Sequence, residues 1–250
     1  MQTLSKNKIS HIASLQQKKL RIEHQQFVVE GGKGVQEFLD AGLNLEILVV
    51  LNEENASDFK VGAEKIFQVE TKDAKKISSL STFPEVLAVF KIPEIKIDNS
   101  WKNKFSLVLD GVRDPGNMGT IIRTADWFGI QHVFCSSDSV DIYNSKVVQA
   151  TMGSLARVKV YSVNMVELLN EAKKELNFSV LGAFMEGEDV RELKSVDKGF
   201  LIMGNESQGI RSEAISFITK KVSIKRGGTS AAESLNVSIA TAVLCHSLTR

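Results

Sequence analysis

Apolar residues in this chain cluster into short runs separated by polar, glycine-bearing stretches, and the runs come in two styles. In the C-terminal part FSLVLDGV (105–112), HVFCS (132–136), FSVLGAF (178–184), GFLIMG (199–204) and KVSI (221–224) are unbroken, as strands covered on both faces require. Between them Met118 to Phe128, residues 144–152, residues 164–175 and Asn236 to Leu248 carry helical spacing, the first closing at Gly129. Strand and helix alternate, which predicts an α/β fold: a mostly parallel sheet with helices on both faces. In the N-terminal part FVVE (27–30), LEILVVL (45–51) and VLAVF (86–90) read as strands, and Val35, Phe38 and Leu39 mark a helix. Ile9, Ile12, Leu15 and Leu20 give helical spacing over residues 8–22. This part predicts a small α/β domain. Pro84 and Pro93 bracket VLAVF, and IPEIKIDNS (92–100) reads as a linker, so the expected domains are residues 1–98 and 99–250.

Composition narrows the class. The 250 residues are 43% apolar, with 31 Lys and Arg against 30 Asp and Glu, a net charge of +1. Ordinary apolar content with little net charge excludes intrinsic disorder. It also withholds the simplest argument for a nucleic-acid partner, a strongly basic total. Locally the charge is uneven: Lys6, Lys8, Lys18, Lys19 and Arg21 gather at the start. The two cysteines, Cys135 and Cys245, sit in apolar runs and are expected to be buried, reduced thiols. The four histidines form no metal-ligand pattern, so no metal is expected. No signal core and no bilayer-length apolar run occur, so a cytoplasmic protein with no membrane partner is expected.

Ligands of open parallel sheets bind beyond the carboxyl ends of the strands. Three loops there carry small and polar residues. In DGVRDPGNMGTIIRTADWFG (110–129), Asp114-Pro115-Gly116 forces a turn, Asn117 is placed to cap the following helix, and Arg123 stands on that helix. In LIMGNESQGI (201–210), Glu206 lies directly beyond a buried strand between Gly204 and Gly209. In IKRGGTSAAESLNVSIA (224–240), Ser234 and Asn236 sit where the last helix starts. EGGKGV (30–35) lacks the GK[ST] ending of a phosphate loop, and no GxGxxG follows an early strand, which excludes the common nucleotide-binding motifs.

Taken in order, NxGxxxRxA (Asn117, Gly119, Arg123, Ala125), GNExxG (Gly204, Glu206, Gly209) and SLNVSxA (Ser234 to Ala240) closely resemble the three motifs of the SpoU/TrmH family of RNA ribose 2′-O-methyltransferases, within the SPOUT superfamily. The resemblance covers about residues 105–250. It extends more weakly to residues 8–90, which look like that family's substrate-binding domain.

The resemblance implies a C-terminal sheet threaded as a trefoil knot, a bound S-adenosylmethionine, an RNA substrate and a homodimer. Backbone around Gly204, Ile224 and Leu235, with Asn236, would line the cofactor pocket. Asn117, Arg123, Glu206, Ser234 and Asn236 would be the catalytic set. The family mechanism casts Arg123 as the base. An arginine stays protonated, however, which suits it better to binding the adjacent phosphate and stabilising charge on the attacking oxygen. Asn117 and Ser234 would orient Arg123 or the ribose, and Glu206 would hold Arg123 or a substrate group. Family members place a proline after the isoleucine that opens the third motif, where this chain has Lys225 after Ile224. Two other readings stay open: a catalytically silent RNA-binding relative, and a base methyltransferase on the same fold. Ribosomal RNA is favoured over transfer RNA by the basic start and the added N-terminal domain.

Overall fold

A computed structural model describes residues 1–228 and 232–249. Its first half runs β1 (Gln2–Thr3), α1 (Lys6–Ser14), α2 (Lys18–His24), β2 (Gln26–Glu30), α3 (Gly32–Asp40), β3 (Leu45–Val50), β4 (Ile66–Gln68), α4 (Thr71–Ile77) and β5 (Val86–Lys91). There follow β6 (Phe105–Leu109), α5 (Pro115–Trp127), β7 (His132–Ser136), α6 (Ser145–Thr151), β8 (Lys159–Val163), α7 (Met165–Ala172) and β9 (Ser179–Asp189). β10 (Gly199–Met203), α8 (Ser212–Ile215), β11 (Lys220–Ser223) and α9 (Val237–Leu248) complete the chain. The contacts divide it into two units, Met1–Glu94 with Asp141–Arg157, and Ile95–Val140 with Val158–Arg250.

The first unit is built on a mixed sheet in the order β1-β4-β3-β5-β2, with β5 antiparallel to both neighbours. Period-two alternation on β3 sends Ile47 and Val49 to one face, where Ile9 and Ile12 of α1 and Ile77 of α4 close a core. Phe27, Phe38 and Phe90 pack together within 6.0 Å, and Tyr143 stands 4.7 Å from Phe27. The helical spacing over residues 8–22 resolves into two helices. Arg21 explains the break: it is buried, and its guanidinium donates to the Leu15 and Gln16 carbonyls at 2.8 Å and to Asp141. Carbonyls left open by the end of α1 are thus satisfied by a side chain instead of by a continuing helix.

The second unit carries six parallel strands in the order β11-β9-β10-β6-β7-β8. Every residue of β6, β7 and β10 is buried, as their unbroken apolar runs demand. Val108, Phe134, Phe200 and Ile202 pack with Leu168 and Leu169 of α7 and Ala214 of α8. The alternate residue Cys135 faces Met118 of α5 instead, so helices cover both faces. Cys135 and Cys245 are free and buried, and burial pushes both thiols up to about 12. The strand order reverses between β6 and β10, the switch point at which ligands of such sheets bind.

Candidate active site

The loop after β6 is fixed before it reaches the site. Asp110 is buried at the end of the strand; it accepts the Arg211 backbone N–H at 2.8 Å and Arg211 Nε at 2.6 Å. Gly111 follows with φ +75°, a turn that favours glycine. Asp114 then caps α5, accepting the Asn117 backbone N–H, with Pro115 in the first turn. The expected cap, Asn117, therefore lies inside the helix, and its side chain is free for other work.

The loop after β10 is pinned at both ends. Arg211 holds one end on Asp110. At the other, Asn205 donates to the Gly111 carbonyl at 2.7 Å, accepts the Ser207 and Gln208 N–H groups, and bridges to Gly209. A Cβ on Gly204 would stand 2.2 Å from the Gly209 carbonyl carbon, so the turn closes only with glycine there. Glu206 is carried at the tip. Asp138 braces the Arg211 end against the loop after β6, pairing with Arg211 at 3.3 Å and Arg113 at 3.0 Å. Hydrogen bonds from Ser136 and Arg113 hold its carboxyl below the usual carboxylate range.

Asn236 caps α9, its Oδ1 accepting from Ser238 and Ile239. That assignment leaves its amide NH2 to donate to Asn117 Oδ1 at 2.9 Å, while Asn117 Nδ2 donates to Glu206 Oε1 at 2.8 Å. One unbroken hydrogen-bond relay thus joins the three loops, Asn236 to Asn117 to Glu206.

Beside the relay lies a cavity of about 820 Å³. Gly204, Glu206, Ile224, Ser234, Leu235 and Asn236 all line it, together with Phe184 and Met185 from β9. Asn117 reaches this wall only through the relay. Arg123 is exposed on α5 and is absent from the wall; among the described residues nothing pairs with it. Of the two roles expected for Glu206, holding Arg123 or a substrate group, the first is not seen: Glu206 accepts from Asn117 instead. The pattern reading missed Asp110, Asn205, Asp138 and Arg211. The one signal available was a carboxylate directly after a fully apolar strand, since a buried charge needs a partner.

Comparison with known proteins sharpens this picture. The SpoU rRNA methylase family model matches residues 104–246, and an MRM3-like substrate binding domain matches residues 6–88. The chain belongs to the SpoU rRNA methylase family. It is 30% identical to the 23S rRNA (guanosine(2553)-2′-O)-methyltransferase RlmP of Bacillus subtilis, over 99% of this chain and 98% of that protein. A TrmH-family structure from Porphyromonas gingivalis superposes with TM-score 0.88 at 38% identity, covering 98% of each chain. An AdoMet-bound rRNA methyltransferase from Sinorhizobium meliloti superposes with TM-score 0.84 at 28% identity, covering 99% of this chain and 95% of that one. SpoU enzymes are S-adenosylmethionine-dependent RNA 2′-O-methyltransferases, and the cavity suits that cofactor. Its volume falls within the range of small-molecule sites, and apolar Phe184, Ile210 and Leu235 line it together with Gly204 and Gly227.

Proposed function

We propose that this chain methylates a guanosine ribose 2′-hydroxyl of 23S ribosomal RNA, using S-adenosylmethionine. The relay that gathers Asn236, Asn117 and Glu206 at the cavity wall carries the reading. The ribosomal substrate is supported by the named activities of the full-length relative and of RlmB from Neisseria meningitidis. Residues 1–98 hold the RNA and residues 99–250 carry the chemistry. The knot implied by the family belongs to this reading, with Gly204 and Ile210 of one segment and Ile224 to Gly227 and Ser234 to Asn236 of another all lining the cavity. The place of work is the cytoplasm, in keeping with two free, buried cysteines.

When bound, the cofactor supplies an electrophilic methyl group on a sulfonium. The chain's own part is alignment and charge. Glu206 and Asn236 shape the rim, Ser234 faces the ribose, and Arg123 binds the neighbouring phosphate and steadies negative charge growing on the attacking oxygen.

Arg123 reaches that position in a homodimer. Trp127 is 84% exposed on α5, one turn beyond Arg123, and Ile239 and Val243 are exposed on α9, which packs against α5. An apolar face of this kind marks an interaction surface, and a second copy covers it here. Pairing through the stripe carries Arg123 into the interface, toward the second copy's cavity. Ribose-methylation mapping of 23S RNA from cells with and without the protein tests the assignment, with nucleoside mass spectrometry to locate the methyl group. A single ribose methylation lost with the protein is expected; a methylated base, or no lost methylation, rejects it.

A further inference from the structure

β9 and β11 are neighbours, yet their pairing skips. Gly182 pairs with Lys221 and Glu188 with Val222, the next residue along β11. Residues 183–187 of β9 therefore have no ladder partners on β11 and form an arch in the strand, with Lys221 Nζ of β11 4.9 Å from the Phe184 ring centroid. The arch supplies cavity wall: Ala183, Phe184 and Met185 all line it, and Met185 is 60% exposed.

Its near foot is fastened. The Gly187 carbonyl accepts Lys225 Nζ at 3.0 Å and Ser223 Oγ at 3.1 Å. A Cβ on Gly187 would stand 2.7 Å from the Lys221 carbonyl oxygen, so this foot rests directly on β11. Lys225 itself belongs to the segment 224–227, which lines the same cavity. One ammonium thus joins two stretches of wall. A lysine in an exposed basic loop would ordinarily offer its charge to solvent or to RNA phosphate. This one turns back on a carbonyl inside its own chain.

We propose that Lys225 is a positioning residue for S-adenosylmethionine. By fastening Gly187 it fixes how far Phe184 and Met185 stand from the 224–227 segment, and so how fast bound cofactor escapes. The proposal rests on the reading of the cavity as the cofactor site. Charge-assisted hydrogen bonds are stronger than neutral ones, and a wall ordered in advance spares binding the cost of ordering it. Differences in affinity of this origin show mostly in the dissociation rate.

The test uses the full chain, with Lys225→Met and Lys225→Arg as variants. Titration calorimetry should show S-adenosylmethionine bound about three- to ten-fold more weakly by Lys225→Met, through faster release, and within about two-fold of the parent by Lys225→Arg. Amide exchange over residues 183–188 should quicken in Lys225→Met without cofactor. Unchanged exchange and unchanged cofactor affinity, with weaker binding to a 23S RNA fragment, would overturn the proposal and make Lys225 a phosphate contact. A parent chain that binds no cofactor would reject the cavity reading instead, while the exchange comparison would still report whether Lys225 fastens the arch.

Discussion

Asn117 and Arg123 lie on the same helix, six residues apart, and are treated in opposite ways. Asn117 spends both ends of its amide inside the chain, on Glu206 and Asn236. Arg123 is exposed, and among the described residues its guanidinium pairs with nothing. The contrast separates two jobs. Groups that set the shape of the site are saturated by one another, while the residue proposed to meet substrate keeps its donors free. Arg123→Ala is the harshest test of that division. Methyl transfer should fall about 10³-fold, the scale of losing a donor to a developing oxyanion. Cofactor affinity should stay within a few-fold by calorimetry, and stability within about 0.5 kcal/mol. A variant that keeps a tenth of its activity would move the chemistry to the relay. Trp127→Glu, on the same exposed stripe, should yield monomers by light scattering and a comparable loss of turnover.

The saturated side has a deeper support that can be broken separately. Asp110 has no side-chain exposure and holds Arg211, which is 35% exposed. Asp110→Asn removes the charge and leaves Arg211 without its main partner. Breaking a buried pair costs about 3–5 kcal/mol, and the partial exposure of Arg211 reduces this to about 2 kcal/mol, read from the urea midpoint. Glu206 rides on the loop that Arg211 pins, so cofactor binding should weaken too. This is the reverse of the Arg123 pattern. Equal stability for the two variants would remove the distinction between holding and free residues.

Asn236→Ala is the milder cut. It deletes the cap of α9 and the bond to Asn117 together. A lost asparagine cap costs about 1 kcal/mol. Asn117 and Glu206 are open enough for water to replace the missing bond, so the stability loss should stop near that figure. Asn236→Asp keeps an acceptor for the cap but loses the NH2 donor, so it should restore stability without restoring turnover. Recovery of both would show that the relay adds nothing beyond the cap.

How far the sequence reveals these residues follows from the range of the interactions. Strands β6, β7 and β10 are legible because burial on both faces leaves unbroken apolar runs. The three glycine-bearing loops are legible as a set because they follow strands and share an order. The Asn117–Glu206 bond spans 89 residues and the Asp110–Arg211 contact spans 101, so only the strand order brings the partners together. The break between α1 and α2 was hidden for the same reason, since Arg21 is turned inward by Asp141, 120 residues away. Residues 141–157 join the first unit although nothing in their pattern sets them apart. Asn117 has the residue type of a cap, yet Asp114 takes that role three residues earlier, with Pro115 favouring it.

The contrast also says where pH should act. It should act on a buried, saturated group. Ser100 gives its hydroxyl proton to Asp98, so His132 Nε2 donates to Ser100 Oγ at 3.0 Å, while Nδ1 shares a hydrogen bond with the Tyr161 hydroxyl at 3.3 Å. Burial pushes His132 below its ordinary 6.5, with Asp98 opposing and Lys159 and Lys104 adding to the fall. The unfolded chain takes up the proton first on acidification. The stabilisation is complete above about pH 6.5 and drains away as pH falls from there toward the depressed folded value. One proton limits the slope to about 1.4 kcal/mol per pH unit, the gentlest of these effects. His132→Gln should flatten the melting temperature between about pH 6.5 and 5.5 relative to the parent, leaving cofactor affinity at pH 7.5 unchanged. An equally steep decline in the variant would place the acid sensitivity on other groups.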